Sequence, residues 1–386
     1  MVFKEALLML GGFLSVAALK PARVLAREVV GGGIAMPILL GAVVVLGMVA
    51  PVTEDVVGRV AYCVPPVIAK GLVRDSRLAW RVFTLFEILG AFALLVATEA
   101  KRRRVDVVAA ATGLARTYSE TEPLRVELSK TCAVEVHRKK RGPLVLFVPG
   151  GAWCHSDDAR MYRLLASRCP FDLAVVEHVP YPLTTGAHMV QDVGLAVDWA
   201  LNTSPRVICL AHSAGAQLLA AALLDGDRTR VPTATVLCAG PFDLNKHLEY
   251  EMARGVADVS ALAAAFPTQD TRTRLSPANR AASDGRLATN TVVLVHGAKD
   301  DIVPVVSTHD FAKRLLLGAS TPVVETHILP EADHISYILD ASLSPHATLF
   351  QIIRDLARAI DHRTLPPPQA RLPHRSCFPG LFRKCS

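Results

Sequence analysis

The run Val207-Ile-Cys-Leu-Ala-His-Ser213-Ala-Gly-Ala-Gln-Leu-Leu-Ala-Ala-Ala-Leu-Leu224 decides the fold of this chain. An apolar segment opened by β-branched residues gives way to a serine among small residues, and then to a strong helix former. That reads as strand, sharp turn and helix. A serine on such a turn is lifted clear of the sheet edge, the setting of a nucleophile elbow. Small neighbours are needed because strand and helix backbones approach closely there. The usual spacing is G-x-S-x-G; here Ala211 holds the first position and Gly215 the last.

Outward from this turn, short apolar runs alternate with amphipathic segments. Strands are predicted at Cys132–His137, Leu144–Val148, Leu173–Val176, Val207–Leu210, Ala234–Cys238, Val292–Val295 and Val323–Ile328. Helices are predicted at Ala159–Ser167, Val190–Leu201, Ala216–Leu224, His309–Leu317 and His346–Ile360. Continuous apolar strands separated by helices imply an α/β fold, a mostly parallel sheet covered by helices on both faces. Chemistry in such sheets sits beyond the carboxyl ends of the strands.

Reactive residues stand at those ends. After Leu144–Val148 comes Pro149-Gly150-Gly151-Ala152-Trp153, where two glycines let backbone N–H groups point into a cleft, as an oxyanion requires. An ordinary glycine turn is the alternative. His155, Ser156, Asp157 and Asp158 follow side by side; triad members converge from distant loops, so these read as a helix cap and first-turn carboxylates. After Val292–Val295 comes His296-Gly-Ala-Lys-Asp300-Asp301-Ile-Val-Pro304. Either aspartate could orient an imidazole, while His296 precedes the turn and reads as structural. After Val323–Ile328, His334 lies in a polar turn where its ring can reach back over the sheet, with the acid–base range proton transfer needs.

Together these motifs resemble the α/β-hydrolase superfamily, particularly its hormone-sensitive-lipase and carboxylesterase branch. Pro149-Gly-Gly-Ala-Trp153 is similar to that branch's HGG(G/A)W loop with proline in place of histidine, and His212-Ser-Ala-Gly-Ala216 to its elbow. His296-Gly-x-x-Asp300-x-x-Val-Pro304 resembles its acid loop, and Ser276-Pro277 the short element ahead of the acid strand. The resemblance places the acid at Asp300, leaving Asp301 to cap a turn. The order Ser213, Asp300, His334 is then the superfamily's nucleophile–acid–base order. It also implies an oxyanion hole of the N–H groups of Gly151, Ala152 and Ala214, with Gly150 permitting the turn.

Within the branch, the chain most resembles isoprenylcysteine methylesterases, membrane enzymes with a GGAW loop and an SAGA elbow. Tyr181–Met189 with Asp192, and Arg254-Gly-Val256, are weaker echoes. Val179-Pro-Tyr181 departs from the branch's usual aspartate-tyrosine-arginine. The implied partner is a small-molecule or lipid-like ester such as the methyl ester of a prenylated cysteine, with prenylated proteins as its natural carriers. Short-chain esterases and kynurenine-type arylformamidases share most of these motifs and remain alternatives, as does a binding protein on a retained hydrolase scaffold. No HExxH or paired ligand spacing competes with the serine chemistry, so neither metal nor cofactor is expected.

Composition adds a membrane setting. Of 386 residues 51% are hydrophobic and 20% charged, with a mean hydropathy of +0.33, too apolar for an ordinary soluble enzyme. Residues 29–52 carry no charge and are long enough to cross a hydrocarbon core, and residues 82–98 form a second expected span that includes Glu87. The chain thus divides into a membrane region at 1–104, a hydrolase domain at 105–362 with an insertion at about 241–284, and a Pro/Arg-rich tail at 363–386. Lys101-Arg-Arg-Arg104 and the basic residues between 20 and 27 put the catalytic domain on the cytosolic side of the membrane, expected to be the endoplasmic reticulum or Golgi if the chain is eukaryotic. A net charge of +7 suits anionic membrane lipids. Nucleic acid is not an expected partner, since no basic stripe is interleaved with aromatics. The eight scattered cysteines read as buried thiols, with Cys377 and Cys385 in the tail as candidate acylation sites.

Overall fold

A computed structural model describes residues 95–361, apart from 97, 106, 120–122, 140–141, 155–158, 226–229, 258–259, 284–286 and 318–321. Its core is an eight-stranded sheet in the order β1-β2-β4-β3-β5-β6-β7-β8. The strands are β1 (Leu124–Glu127), β2 (Cys132–His137), β3 (Leu144–Val148), β4 (Asp172–His178), β5 (Val207–His212), β6 (Ala234–Cys238), β7 (Thr291–Gly297) and β8 (Val323–Leu329). β2 is antiparallel to β1 and β4, and every later pairing is parallel. Seven of the eight strands coincide with predicted apolar runs, within three residues at either end. β1 was not anticipated: LRVE carries one apolar residue toward the core and otherwise faces solvent, so an edge strand there leaves no apolar run to read.

Alternate residues of the central strands enter two separate cores. Leu144, Leu146 and Val148 of β3, with Cys209 and Ala211 of β5, pack beneath α3 (Gly186–Thr203), α4 (Ala214–Asp225) and α9 (Val306–Leu317). Val145 and Phe147, with Ile208 and Leu210, pack on the other face against α2 (Arg163–Arg168), α10 (Ser336–Leu343) and α11 (Thr348–Asp361). Burial on both faces is what makes these strands apolar throughout rather than alternating. A smaller cluster joins Leu95, Val96 and Ala100 to Ala110 and Leu114 of α1 (Val107–Ser119) and to Leu164 and Leu343.

The expected span at 29–52 lies outside the described residues, and so does most of that at 82–98. Among the described residues no helix is long and apolar enough to cross a membrane. The tail beyond 361, with Cys377 and Cys385, is also outside them, as are His155 to Asp158. The five described cysteines, 132, 154, 169, 209 and 238, are buried and form no disulfide among the described residues.

Two features of this architecture position the site. Strand order reverses around β3, because β4 pairs on one side of it and β5 on the other. A crevice opens where connections diverge in this way, at the carboxyl ends of β3 and β5. The expected insertion forms four short helices, α5 (Leu244–Ala253), α6 (Leu262–Ala265), α7 (Gln269–Leu275) and α8 (Pro277–Ser283). They are anchored by Phe242, which stacks on Phe311 at 4.2 Å, and by the buried Phe266.

Candidate active site

β5 ends at His212, and Ser213 sits between strand and helix at φ 55°, a left-handed conformation that costs a non-glycine residue on the order of 1–3 kcal/mol. The surroundings hold it there. The Ser213 N–H donates to the Cys238 carbonyl of β6 at 2.8 Å, and the first turn of α4 closes on the Ser213 carbonyl. Gly215 is required by contact: a Cβ there would lie 2.2 Å from the Pro149 carbonyl oxygen. Position 211 is different. Ala211 lies in the sheet between Val148 and Leu237, its methyl buried among apolar side chains, so alanine fits where the usual spacing has glycine.

His334 follows β8 and is 6% exposed. Its Nε2 lies 2.8 Å from Ser213 Oγ and its Nδ1 2.7 Å from Asp300 Oδ2. Asp300 follows β7, and the N–H groups of Ile302 and Val303 both donate to its Oδ1 at 2.9 Å. His296 supplies another contact, with Nε2 3.1 Å from Asp300 Oδ2 and 2.9 Å from the Val303 carbonyl. A donor Nε2–H leaves Nδ1 to accept from the Thr308 hydroxyl at 2.7 Å. Burial alone would raise the Asp300 carboxyl. The facing charge of His334 and the hydrogen bonds from His296 and His334 outweigh it and hold the group well below the usual carboxylate range. Asp300 is therefore a fixed anion beneath the imidazole.

His212 secures the other side of His334. Its ring Nε2–H donates to the His334 carbonyl at 2.8 Å, and the two rings lie 4.9 Å apart. Burial, then the neighbouring charge of His334, pushes His212 down to about 3, so it stays a neutral donor and adds no positive charge beside a developing imidazolium.

The loop after β3 runs against the elbow, since a Cβ on Gly150 would lie 2.8 Å from that of Ser213. Gly151, Ala152 and Trp153 all have positive φ, at 142°, 49° and 60°. Among the described residues no hydrogen bond occupies the N–H groups of Gly151, Ala152 or Ala214. Trp153 fixes the loop from its far end: its indole N–H donates to Gln217 Oε1 at 2.9 Å, and Gln217 Nε2 donates to the Leu275 carbonyl of α7 at 2.9 Å. The Trp153 carbonyl accepts from the Tyr181 N–H at 2.9 Å, and its ring meets Phe266 edge-on at 5.6 Å.

All three expected triad members thus converge, and the loop of Gly150, Gly151 and Ala152 adjoins them. Asp301 does not: its carbonyl accepts from the Tyr250 hydroxyl at 2.9 Å, tying the acid loop to α5. Ser276 is a fold element, accepting from the Leu244 N–H at 2.8 Å and donating to the Arg272 carbonyl at 2.6 Å. Three residues escaped sequence reasoning. Gln217 is wholly buried in an otherwise apolar helix, and a lone amide in such a run was the available signal. His212 was read as elbow spacing and His247 as part of the insertion; neither carries a local pattern.

Comparison with known proteins agrees with this fold. The profile of the prolyl oligopeptidase family matches residues 183–353, a span that holds Ser213, Asp300 and His334. No curated protein matches the chain. Among solved structures, an arylesterase aligns with a TM-score of 0.51 at 16% identity, covering 69% of this chain and 98% of its own. Carboxyl esterase 2 of the mycorrhizal fungus Tuber melanosporum has a TM-score of 0.51 at 17% identity, covering 62% and 86%. A hormone-sensitive lipase from a metagenome library gives 0.51 at 17%, covering 64% and 90%. The fold is that of the α/β-hydrolases, and the chain is a serine hydrolase.

Proposed function

We propose that the protein hydrolyses a carboxylic ester through an acyl-enzyme, with Ser213 as nucleophile, His334 as base and then acid, and Asp300 as the anion that orients His334. The observation that carries this reading is the continuous bond chain from Ser213 Oγ through both ring nitrogens to Asp300 Oδ2, at 2.8 and 2.7 Å. Ser213 Oγ attacks the ester carbonyl while its proton passes to His334 Nε2. The tetrahedral oxyanion is held by the N–H groups of Gly151, Ala152 and Ala214, each such donor worth about 3 kcal/mol in the transition state. His334 then gives its proton to the leaving alcohol. Water, deprotonated by the same nitrogen, releases the acid from Ser213.

The substrate class within this reading is an ester of a lipid-like acid, foremost the methyl ester of a prenylated cysteine. Support comes from the GGAW loop and SAGA elbow and from the insertion helices beside Trp153. The uncharged run at 29–52, with its flanking basic residues, supports an enzyme anchored to a bilayer with its catalytic domain on the cytosolic face. Detergent-purified protein is offered a prenylcysteine methyl ester and p-nitrophenyl butyrate. A higher kcat/KM on the prenylated ester is expected; preference for the short ester would remove the methylesterase reading and leave the ester hydrolase in place.

A further inference from the structure

Resting on the ester-hydrolase reading, one buried group near the triad remains unused by the mechanism. His247 of α5 is 7% exposed and its ring meets Trp153 edge-on, with centroids 6.4 Å apart. It also stacks on Tyr250 at 6.2 Å, the residue whose hydroxyl is bonded to the acid loop. His247 thus joins the oxyanion loop to the acid loop across the insertion. It is near enough to the triad for the charges of His334 and Asp300 to bear on its ring.

The tautomer of this ring follows from its neighbours. Nε2 faces Glu251 Oε1 at 3.5 Å, and the same oxygen accepts the Ser260 hydroxyl at 2.8 Å. Oε1 is therefore an acceptor, and the proton of a neutral His247 sits on Nε2. Burial, with the charge of His334 next, pushes the ring down to about 4, so neutral is its state near pH 7. Nδ1 is left with a bare lone pair. That atom is buried and has no hydrogen-bond partner among the described residues. Native interiors seldom leave such an acceptor empty without a functional reason.

We propose that His247 Nδ1 is a substrate-binding acceptor, taking a hydrogen bond from an N–H or O–H borne by the acyl part of the ester within one or two bonds of the scissile carbonyl. The lone pair, in surroundings made apolar by the packed rings of Trp153 and Phe266, reads whether a donor is present. The acid part of the substrate is thereby specified as an α-amido, α-amino or α-hydroxy acid, a class that includes the cysteine ester proposed above. A buried acceptor discriminates strongly, because an analogue without the donor leaves it unpaired.

The test uses the full-length protein in detergent and two methyl esters of equal shape: an N-acetyl amino-acid ester, and its analogue with CH2 in place of the amide N–H. Wild type is expected to favour the N–H ester by about tenfold or more in kcat/KM. In His247→Phe and His247→Met that ratio falls to near one, and His247→Gln, whose carbonyl oxygen can accept, restores part of it. A wild-type ratio near one overturns the proposal without recourse to any variant, as does an undiminished ratio in the Phe and Met variants. Failure of the ester-hydrolase reading looks different: neither ester is turned over, and Ser213 does not react with a fluorophosphonate.

Discussion

Replacing Gln217 with methionine tests how the oxyanion loop is held. The side chain is wholly buried and connects two otherwise isolated groups, the Trp153 indole N–H and the Leu275 carbonyl, each at 2.9 Å. Methionine keeps the volume and apolar contacts but offers neither the acceptor nor the donor. Each orphaned buried group costs about 1–3 kcal/mol, so the variant should lose roughly 2–6 kcal/mol. For a domain of this size that is a fall in Tm of roughly 5–15 °C. The loss should appear in catalysis too, because Trp153 immediately follows the N–H groups of Gly151 and Ala152. Those donors act on charge that develops in the transition state, so kcat should drop about 10–100-fold while KM moves little. Urea denaturation and steady-state hydrolysis of p-nitrophenyl butyrate measure both effects. Unchanged kcat in a folded Gln217→Met protein would refute the idea that this amide positions the loop, even if stability fell.

Three further outcomes are expected. Asp300→Asn should lower kcat by about 10⁴-fold with the fold intact, since the amide cannot act as the anion beneath His334, whereas Asp301→Asn should stay within about threefold. Equal losses in the two variants would return the acid assignment to an open question. Glu251 is pushed up from 4.5 to about 7, mainly by burial, against the opposing Ser260 hydrogen bond and Arg254 charge. The folded state then binds more protons than the unfolded between those values, so stability should fall as pH rises from about 4.5 to 7. The gap is on the order of 3 kcal/mol, and Glu251→Gln should remove it, giving a variant more stable than wild type at pH 8 but not at pH 4. Parallel pH–stability curves for the two proteins would contradict this. His212 is depressed from 6.5 to about 3 by burial and the His334 charge, so stability is lost as pH falls through that window; His212→Gln should flatten this acid limb in urea titrations.

The fold was legible because both faces of its parallel strands are buried, which leaves continuous apolar runs at 144–148, 207–210 and 292–295. The proposed triad was legible for a related reason: Ser213, Asp300 and His334 lie at strand ends, where the chain must turn and polar residues stand out. Ala211 fits in place of the usual glycine, since that position faces apolar neighbours in the sheet. What stayed hidden depends on pairings between distant residues. Nothing beside Trp153 in the chain announces Gln217, and nothing near His296 shows that its ring supports Asp300 rather than only packing. β1 was lost because an exposed edge strand needs little apolar sequence. The insertion's helices are short and locally weak, and they are defined by what they pack on: Phe242 on Phe311 and Phe266 on Trp153.

The central claim is that Ser213 is a nucleophile activated by His334. Detergent-purified protein treated with a fluorophosphonate probe measures it most directly, with the adduct located by peptide mass spectrometry. One adduct on Ser213 is predicted, absent in Ser213→Ala and strongly slowed in His334→Ala. A folded wild-type protein that remains unlabelled, or one labelled at another residue, would contradict the account.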